Sequence, residues 1–273
     1  MTTGVVERPS AAERVRDALK RFLPAALLFL GGLATWELVH RVFGIEDFLL
    51  PQPSDIAATF AAEAGTVIPA GWFTFQEALV GFLIGAVAAV LIALLTARWT
   101  PIQAGVVPFA VAVNATPIIA LAPIMNQWFS VTSIWSKAAI VAVIVFFPVM
   151  INTTRGLIEV NERSIELMRS YGASPGAILR KVRVPHALPF VFSALKVGTT
   201  LSVIAAIVSE YFGGSRKALG VYITQQAALF HLAEAWAAIV VASTMGITFY
   251  IAVVLIERAV MPWHASVRGE DLG

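Results

Sequence analysis

The chain contains 273 residues, of which 58% are apolar and only 13% are charged, and its mean hydropathy is +0.81. Soluble domains carry about a quarter charged residues, so this composition excludes a solvated globular protein and indicates an integral membrane protein. The absence of cysteine excludes disulfides, thiolate metal sites and cysteine nucleophiles. A formal net charge of +2, with dispersed basic residues, argues against nucleic-acid binding.

Six apolar segments are long enough to cross a bilayer as helices, which takes roughly 20 apolar residues each. Their uninterrupted runs lack the alternation of barrel strands, so we expect an all-α polytopic membrane protein. The region around the third segment is interrupted by Pro101, Pro108, Pro117 and Pro123. The expected spans cover about residues 22–39, 75–97, 103–125, 134–151, 188–208 and 235–256.

A leader of mixed charge, residues 1–21, precedes the first span. We expect an amphipathic helix on the membrane surface, with a disordered basic tail over residues 1–12 as the alternative. The acidic residues Glu7 and Glu13, and the lack of a clean cleavage site, argue against a signal peptide. Lysine and arginine concentrate in the leader, at 155–183 and near the C-terminus, so both termini are predicted to be cytoplasmic.

The long connection between the fourth and fifth spans is polar but carries helix signals. Glu159 and Arg163 are spaced for an i, i+4 ion pair, and the apolar spacing predicts a short amphipathic helix that ends at Gly172. Ser174 followed by Pro175 predicts the start of a second helix. This connection is therefore expected to be a structured helix–turn–helix. No internal repeat is visible, which argues against a carrier built from inverted repeats.

From Glu166 the connection reads Glu-Leu-Met-Arg-Ser-Tyr-Gly, then nine residues, then Val-Arg-Val-Pro. It resembles the EAA loop of binding-protein-dependent ABC importer permeases, whose pattern is Glu-Ala-Ala, three residues, Gly, nine residues, Ile-x-Leu-Pro. Glu166, Gly172 and Pro185 match in type and spacing, whereas Leu167 and Met168 replace the two alanines. Further stretches look like the nitrate, sulfonate and taurine importer group, so the resemblance covers roughly residues 70 to 260.

The resemblance implies a type I ABC importer permease fold in a prokaryotic cell membrane. The expected division is the leader 1–21, a transmembrane permease domain 22–260 containing a cytoplasmic coupling loop 152–187, and a cytoplasmic tail 261–273. Two permeases, identical or paralogous, would pair around the pathway, with an ABC ATPase dimer on their loops and an extracytoplasmic solute-binding protein outside. The implied coupling residues are Glu166, Leu167, Met168, Arg169, Gly172, Ala173 and Pro185.

No phosphate-binding loop of the form Gly-x-x-x-x-Gly-Lys-Ser/Thr occurs in the chain. We therefore expect ATP and magnesium on a separate ATPase, and neither catalysis nor a bound cofactor here. The alternative reading of the connection is an ordinary solvated loop.

Polar residues on the broken third segment are candidates for contact with the cargo, because amides and hydroxyls bind polar solutes without fixed charge. They are Asn114, Thr116, Asn126 and Gln127. Hydrogen bonding between helices is the equal alternative for these side chains.

Two ionisable residues of the fifth span are further pathway candidates. For Lys196, snorkelling to the interface is the favoured reading, and for Glu210 bracing of the outer loop is favoured. Glu77 is interpreted as interfacial. His231 and Glu234 are too few to make a metal site.

These features favour the permease subunit of an ABC importer. A stand-alone channel or secondary carrier should place ionisable groups at mid-membrane in several spans, and only Lys196 qualifies. An intramembrane enzyme would need a nucleophile–base or metal constellation. The implied cargo lies in the range of nitrate, sulfonates, taurine and pyrimidine-like heterocycles, and the Asn and Thr residues with Trp128–Phe129 favour a neutral planar heterocycle.

Overall fold

The structure, a computed structural model, describes residues 11–99 and 117–262, together with the isolated residues Gly105 and Ala112. Every regular element within this part of the chain is helical. The helices are α1 (Ala11–Phe43), α2 (Pro53–Arg98), α3 (Ala122–Phe129, after a 3₁₀ turn at Ile118–Leu121), α4 (Ile134–Ile158), α5 (Glu162–Ser170), α6 (Pro175–Ile178, continued by a π turn at Leu179–Arg183), α7 (Val184–Glu210), α8 (Leu219–Ala228) and α9 (Leu232–Val260).

Five segments of the described chain are helical, long and apolar enough to cross a membrane. They lie in α1, α2, α4, α7 and α9, and each contains one of the spans predicted from the sequence. The all-α polytopic architecture is therefore confirmed. Most of the predicted third span, 103–125, lies outside the described residues, and its last part forms the 3₁₀ turn and the start of α3.

Helices α2, α4, α7 and α9 pack into one bundle around a continuous apolar core. Each helix supplies large buried side chains, for example Phe82, Val145, Val203 and Phe249 in chain order. The rings of Phe82 and Phe249 meet edge-on, with their centroids 4.9 Å apart. This core sets the positions from which the polar residues described below reach one another.

The closest crossing in the bundle joins α2 to α4. A Cβ atom added at Gly81 would lie 2.5 Å from Cβ of Val141 and 2.6 Å from the carbonyl oxygen of Ala138. One turn further along, a Cβ atom at Gly85 would strike the backbone of Ala142. Small residues spaced four apart let two membrane helices approach closely. The two glycines therefore set the distance between α2 and α4.

Helix α1 lies at the edge of the bundle, and its apolar surface is mostly exposed. The indole rings of Trp36 and Trp236 meet at a centroid distance of 5.1 Å. Glu37 accepts hydrogen bonds from the backbone N–H and the hydroxyl of Ser54 at the start of α2. The helix runs without interruption across the boundary at residues 21 and 22 that separates the expected leader from the first span.

The two ends of the bundle differ in chemistry. One end, called here the α5 end, carries α5, α6 and the π turn, with the basic residues Arg180, Lys181 and Arg183. The other, called the α8 end, carries α3 and α8 and the turns next to them. The tail 263–273 and residues 1–10 of the leader lie outside the described residues.

Candidate functional site

Helix α5 is capped at both ends by local interactions. The Asn161 side chain accepts a hydrogen bond from the backbone N–H of Arg163 at 3.0 Å and so starts the helix. At the other end Gly172 has a φ of +73°. The N–H of Gly172 donates to the carbonyl of Arg169, and the N–H of Ala173 donates to that of Met168. These two bonds form a Schellman motif, so the predicted helix end at Gly172 is confirmed.

The second helix of the loop also starts where its sequence predicts. Ser174 Oγ accepts a hydrogen bond from the N–H of Ala177 at 3.3 Å, and Pro175 occupies the first helical position. The following π turn returns the chain to the bundle. There Arg183 Nη1 donates to the carbonyl of Ala97 on α2 at 3.2 Å, and His186 Nδ1 lies 2.8 Å from the carbonyl oxygen of Gly156 on α4.

The predicted ion pair between Glu159 and Arg163 is wrong. Helix α4 continues to Ile158, and α5 starts afresh after its Asn161 cap, so the two side chains do not share a helix face. Glu159 instead accepts a hydrogen bond from Arg155 Nε on α4 at 3.1 Å. The amphipathic helix is therefore shorter than the sequence pattern indicated.

One face of α5 is anchored and the other is exposed. Ile165 is buried, and Met168 and Ala173 are half-buried. Glu166, Leu167, Arg169 and Gly172 are exposed, as is Pro185 at the start of α7. A cleft of about 450 Å³ lies beside this face; its charged lining residues are Glu162, Glu166, Arg169 and Arg183. The exposed face of the loop thus presents the apolar side chain of Leu167 together with both acidic and basic residues.

A cluster of buried polar groups joins α2, α7 and α8 at the α8 end. Glu210 Oε1 accepts from Thr74 Oγ1 at 2.7 Å, and its Oε2 accepts from the N–H of Gly220 at 2.6 Å. Thr74 Oγ1 in turn accepts from the N–H of Leu219 at 2.9 Å. Oε2 of Glu77, one turn after Thr74 on α2, is buried without a hydrogen-bond partner among the described residues. Glu77 and Glu210 are each 1% exposed.

Lys137 on α4 is a further buried polar residue at this end, and it is also 1% exposed. Its Nζ donates to Asn126 Oδ1 at 2.7 Å, to the carbonyl of Val131 at 2.6 Å and to Ser136 Oγ at 3.1 Å. Asn126 Nδ2 donates to the carbonyl of Phe212, which ties α3 to the turn after α7. The amide of Asn126 and the ammonium group of Lys137 therefore join α3, α4 and the turn after α7.

The predicted pathway residues lie in different surroundings. Asn126 and Glu210 are buried in the contacts just described, whereas Gln127 is exposed on α3. Lys196 on α7 donates to both carboxylate oxygens of Glu257 on α9, at 2.8 and 3.1 Å. The other two candidates, Asn114 and Thr116, lie outside the described residues.

The interpretation of Glu77 as interfacial is wrong, because its side chain is buried. The sequence did contain a signal. Glu77 is the only charged residue between Glu63 and Arg98, and Thr74 lies one turn before it on the same helix face. In the structure as described, no group of three or more His, Cys, Asp or Glu side chains is arranged to hold a metal ion.

A groove of about 430 Å³ runs between α7 and α9. Most of its wall is apolar, and its polar lining residues are Thr200, Ser243 and Tyr250. The Lys196–Glu257 pair joins the same two helices one to two turns closer to the α5 end. The groove therefore combines apolar walls with hydroxyl groups.

Over the described residues the chain is a polytopic helical bundle with an exposed, capped helix–turn–helix at one end. The chain belongs to the family described as the binding-protein-dependent transport system inner membrane component, whose model matches residues 81–263. That range contains the whole α5–α6 loop. Members of this family are ABC importer permeases of prokaryotic cell membranes rather than enzymes, and ATP hydrolysis resides in separate subunits.

Curated relatives carry permease names. The chain is 31% identical to the formylaminopyrimidine transport permease protein of Halalkalibacterium halodurans, over 89% of this chain and 96% of that one. It is 30% identical to the riboflavin transport system permease protein of Chloroflexus aurantiacus, over 93% of this chain and 96% of that one. It is 25% identical to the taurine transport system permease protein of Escherichia coli, over 86% of this chain and 88% of that one.

Two solved structures resemble the fold. One is described as an amino acid ABC transporter with histidines; it has a TM-score of 0.59 and 18% identity and covers 73% of this chain and 96% of that one. The other is an inward-facing conformation of the MetNI methionine ABC transporter, with a TM-score of 0.54, 22% identity and coverages of 72% and 95%. The predicted type I ABC importer permease fold is thereby confirmed.

Proposed function

We propose that this chain pairs with a second permease, a copy or a paralogue, to form the cargo pathway of an importer. An ABC ATPase dimer binds the α5–α6 loop, and an extracytoplasmic solute-binding protein delivers cargo to the α8 end. The observation that carries this proposal is the α5–Gly172–α6 loop, which is capped at both ends and held outside the bundle. A lone membrane protein gains nothing from exposing such a helix.

The loop is built to transmit motion from the ATPase to the membrane helices. Ile165 anchors α5, while Leu167 and its charged neighbours face outward to meet a groove on the partner. Arg183 links the returning chain to α2, and His186 links it to α4. A push on α5 therefore reaches α2, α4 and α7 together, as rigid-body coupling requires.

The ATPase contact can be tested with a charged substitution at each end of the molecule. Leu167 is 56% exposed at the α5 end, and Leu229 is 61% exposed at the α8 end. Leu167→Glu places an extra charge in the proposed groove, so we expect it to lose co-purification with the cognate ATPase. The matched control, Leu229→Glu, should retain the ATPase. Equal retention by both variants would contradict the proposed contact.

We further propose that both termini and the α5 end face the cytoplasm, since the basic residues concentrate there. The cysteine-free chain allows a direct test with single cysteines and a membrane-impermeant thiol reagent. Gly65→Cys should react in intact cells, whereas the exposed Tyr171→Cys should react only after the cells are opened. The opposite pattern would reverse the orientation.

For the cargo we propose a neutral, planar heterocycle. Lys196 is neutralised by Glu257, and Lys137 is engaged by three acceptors, so neither lysine of these spans is available to an anion. The relatives at 30–31% identity are named for transport of riboflavin and a formylaminopyrimidine. Relatives named for taurine and nitrate transport are 25% and 22% identical.

Within this proposal the cargo contacts are Asn114, Thr116, Gln127 and the groove between α7 and α9. Asn126, Lys196 and Glu210 already have protein partners, so we assign them to structural contacts. The test is the rate of ATP hydrolysis by proteoliposomes that contain the permease, its ATPase and its binding protein. Riboflavin or a formylaminopyrimidine should stimulate ATP hydrolysis in this system. Stimulation by taurine or nitrate instead would refute the cargo class and leave the permease assignment standing.

A further inference from the structure

We propose that Arg180 and Lys181, the two exposed basic residues of the π turn, bind the phosphate group of an anionic phospholipid where α7 enters the membrane. The bound headgroup fixes the base of the α5–α6 loop at the membrane surface. This lipid site is independent of the cargo and of the ATPase contact.

The π turn lies where the chain passes from the loop into the apolar part of α7. No Asp, Glu, Lys or Arg occurs between Arg183 and Lys196, so the turn carries the last charges before that apolar stretch. Arg183 Nη1 donates to the carbonyl of Ala97 at 3.2 Å, which brings the end of α2 alongside the turn. Trp99, two residues later, is 50% exposed. Because tryptophan is enriched at the boundary between lipid and water, the turn lies at the depth of the lipid headgroups.

The apolar side chains of the turn anchor it to the bundle. Leu179 and Val184 pack against a small buried cluster with members on α2, α4 and α7. The members of this cluster are Ala93, Leu157 and Ala187. Arg180 and Lys181 lie between the two anchors in the sequence and are exposed. The turn thus holds two basic side chains outside the bundle from a fixed base, and single π turns of this kind are frequent at functional sites.

The positive charge of the turn is not balanced by the chain itself. No Asp or Glu occurs between Glu166 and Glu210. Among the described residues, neither Arg180 nor Lys181 forms an ion pair with a carboxylate. Two exposed positive charges therefore remain for an anion from outside the chain.

The position of the turn favours a lipid over the ATPase as the source of that anion. The proposed ATPase contact is the exposed face of α5 around Leu167, whereas the turn follows α6 and packs on the membrane helices through Leu179 and Val184. Basic residues next to a membrane helix attract anionic lipids, and each strengthens binding by about fivefold. The guanidinium group of Arg180 can bind two phosphate oxygens at once, and Lys181 adds a second positive charge.

Native mass spectrometry of the purified full-length chain tests the proposal. The chain is released from micelles that contain equal amounts of phosphatidylglycerol and phosphatidylcholine with the same acyl chains. Phosphatidylcholine carries the same phosphate together with a positive charge, so the ratio of the two bound lipids reports the effect of headgroup charge. The wild type should retain phosphatidylglycerol in excess. Arg180→Gln combined with Lys181→Gln should lower this ratio by about thirtyfold for the first bound lipid.

A matched control removes the same charge from the opposite end of the molecule. Arg216 and Lys217 are an exposed basic pair on the loop between α7 and α8. Arg216→Gln combined with Lys217→Gln should keep the wild-type lipid ratio. An equal fall in both double variants would reflect the net charge of the chain alone and overturn the site at the turn. An unchanged ratio in the variant of Arg180 and Lys181 would overturn it as well.

The unfolding temperature in detergent distinguishes a lipid from the other sources of an anion. Phosphatidylglycerol should raise it in the wild type, whereas inorganic phosphate should not; equal rises would assign the site to a free phosphate and refute the lipid. If the variant of Arg180 and Lys181 keeps the lipid ratio but no longer co-purifies with the ATPase, these residues belong to the ATPase contact and the proposal is wrong. The wild type decides the matter even if that variant does not fold, because equal retention of the two lipids would refute the site.

Discussion

Substitution of Gly81 by alanine tests the packing that holds α2 against α4. The added Cβ atom would lie 2.5 Å from Cβ of Val141 and 2.6 Å from the carbonyl oxygen of Ala138. The second of these atoms belongs to the backbone of α4 and cannot rotate away, so α2 must move. Overpacking of this kind costs about 1–3 kcal/mol of the free energy of unfolding.

The same helix provides the control. A Cβ atom at Gly65 meets nothing within 4 Å, so Gly65→Ala adds only helix propensity, worth up to about 1 kcal/mol. Both variants gain this propensity and only Gly81→Ala adds the clash, so they should differ by about 1–3 kcal/mol in the free energy of unfolding. Tryptophan fluorescence during a denaturant titration in mild detergent measures the difference. If Gly81→Ala proves as stable as Gly65→Ala, the close crossing of α2 and α4 is refuted.

Three further substitutions follow from the contacts. Glu257→Gln leaves the Lys196 ammonium, which is 21% exposed, without its counter-charge. We expect the free energy of unfolding to fall by about 3 kcal/mol in the same titration. Adding Lys196→Met to this variant should restore most of the loss. Gly172→Ala should strain the left-handed turn by about 1–2 kcal/mol and reduce stimulation of the ATPase. The control, Gly176→Ala, lies in the same loop with open space around it and should have neither effect. Ser133→Ala removes the cap of α4, so hydrogen exchange in its first turn should accelerate, with a loss of about 1 kcal/mol.

Features coded by neighbouring residues could be predicted from the sequence. The long apolar runs predicted the five long helices, because a backbone inside a membrane has few other ways to satisfy its hydrogen bonds. The end of α5 at Gly172 and the start of α6 at Ser174 were also predictable, since a helix cap depends on residues within one turn of it.

Contacts between distant residues could not be predicted in this way. The pairing of Lys196 with Glu257 joins residues 61 apart in the chain, and that of Thr74 with Glu210 joins residues 136 apart. Both depend on which helix faces meet, and spacing along one helix carries no such information. The error at Glu159 had a related origin: an i, i+4 pattern describes one continuous helix, and the Asn161 cap divides this stretch into two.

The pairing of Lys196 with Glu257 has an electrical consequence. Moving one unpaired charge through a membrane potential of 100 mV takes about 2.3 kcal/mol of work. Because the lysine on α7 and the glutamate on α9 are held 2.8 Å apart, the field pulls on them in opposite directions with equal force. A joint shift of the two helices along the membrane normal therefore moves no net charge of this pair through the field, and the pair adds no voltage dependence to such a movement.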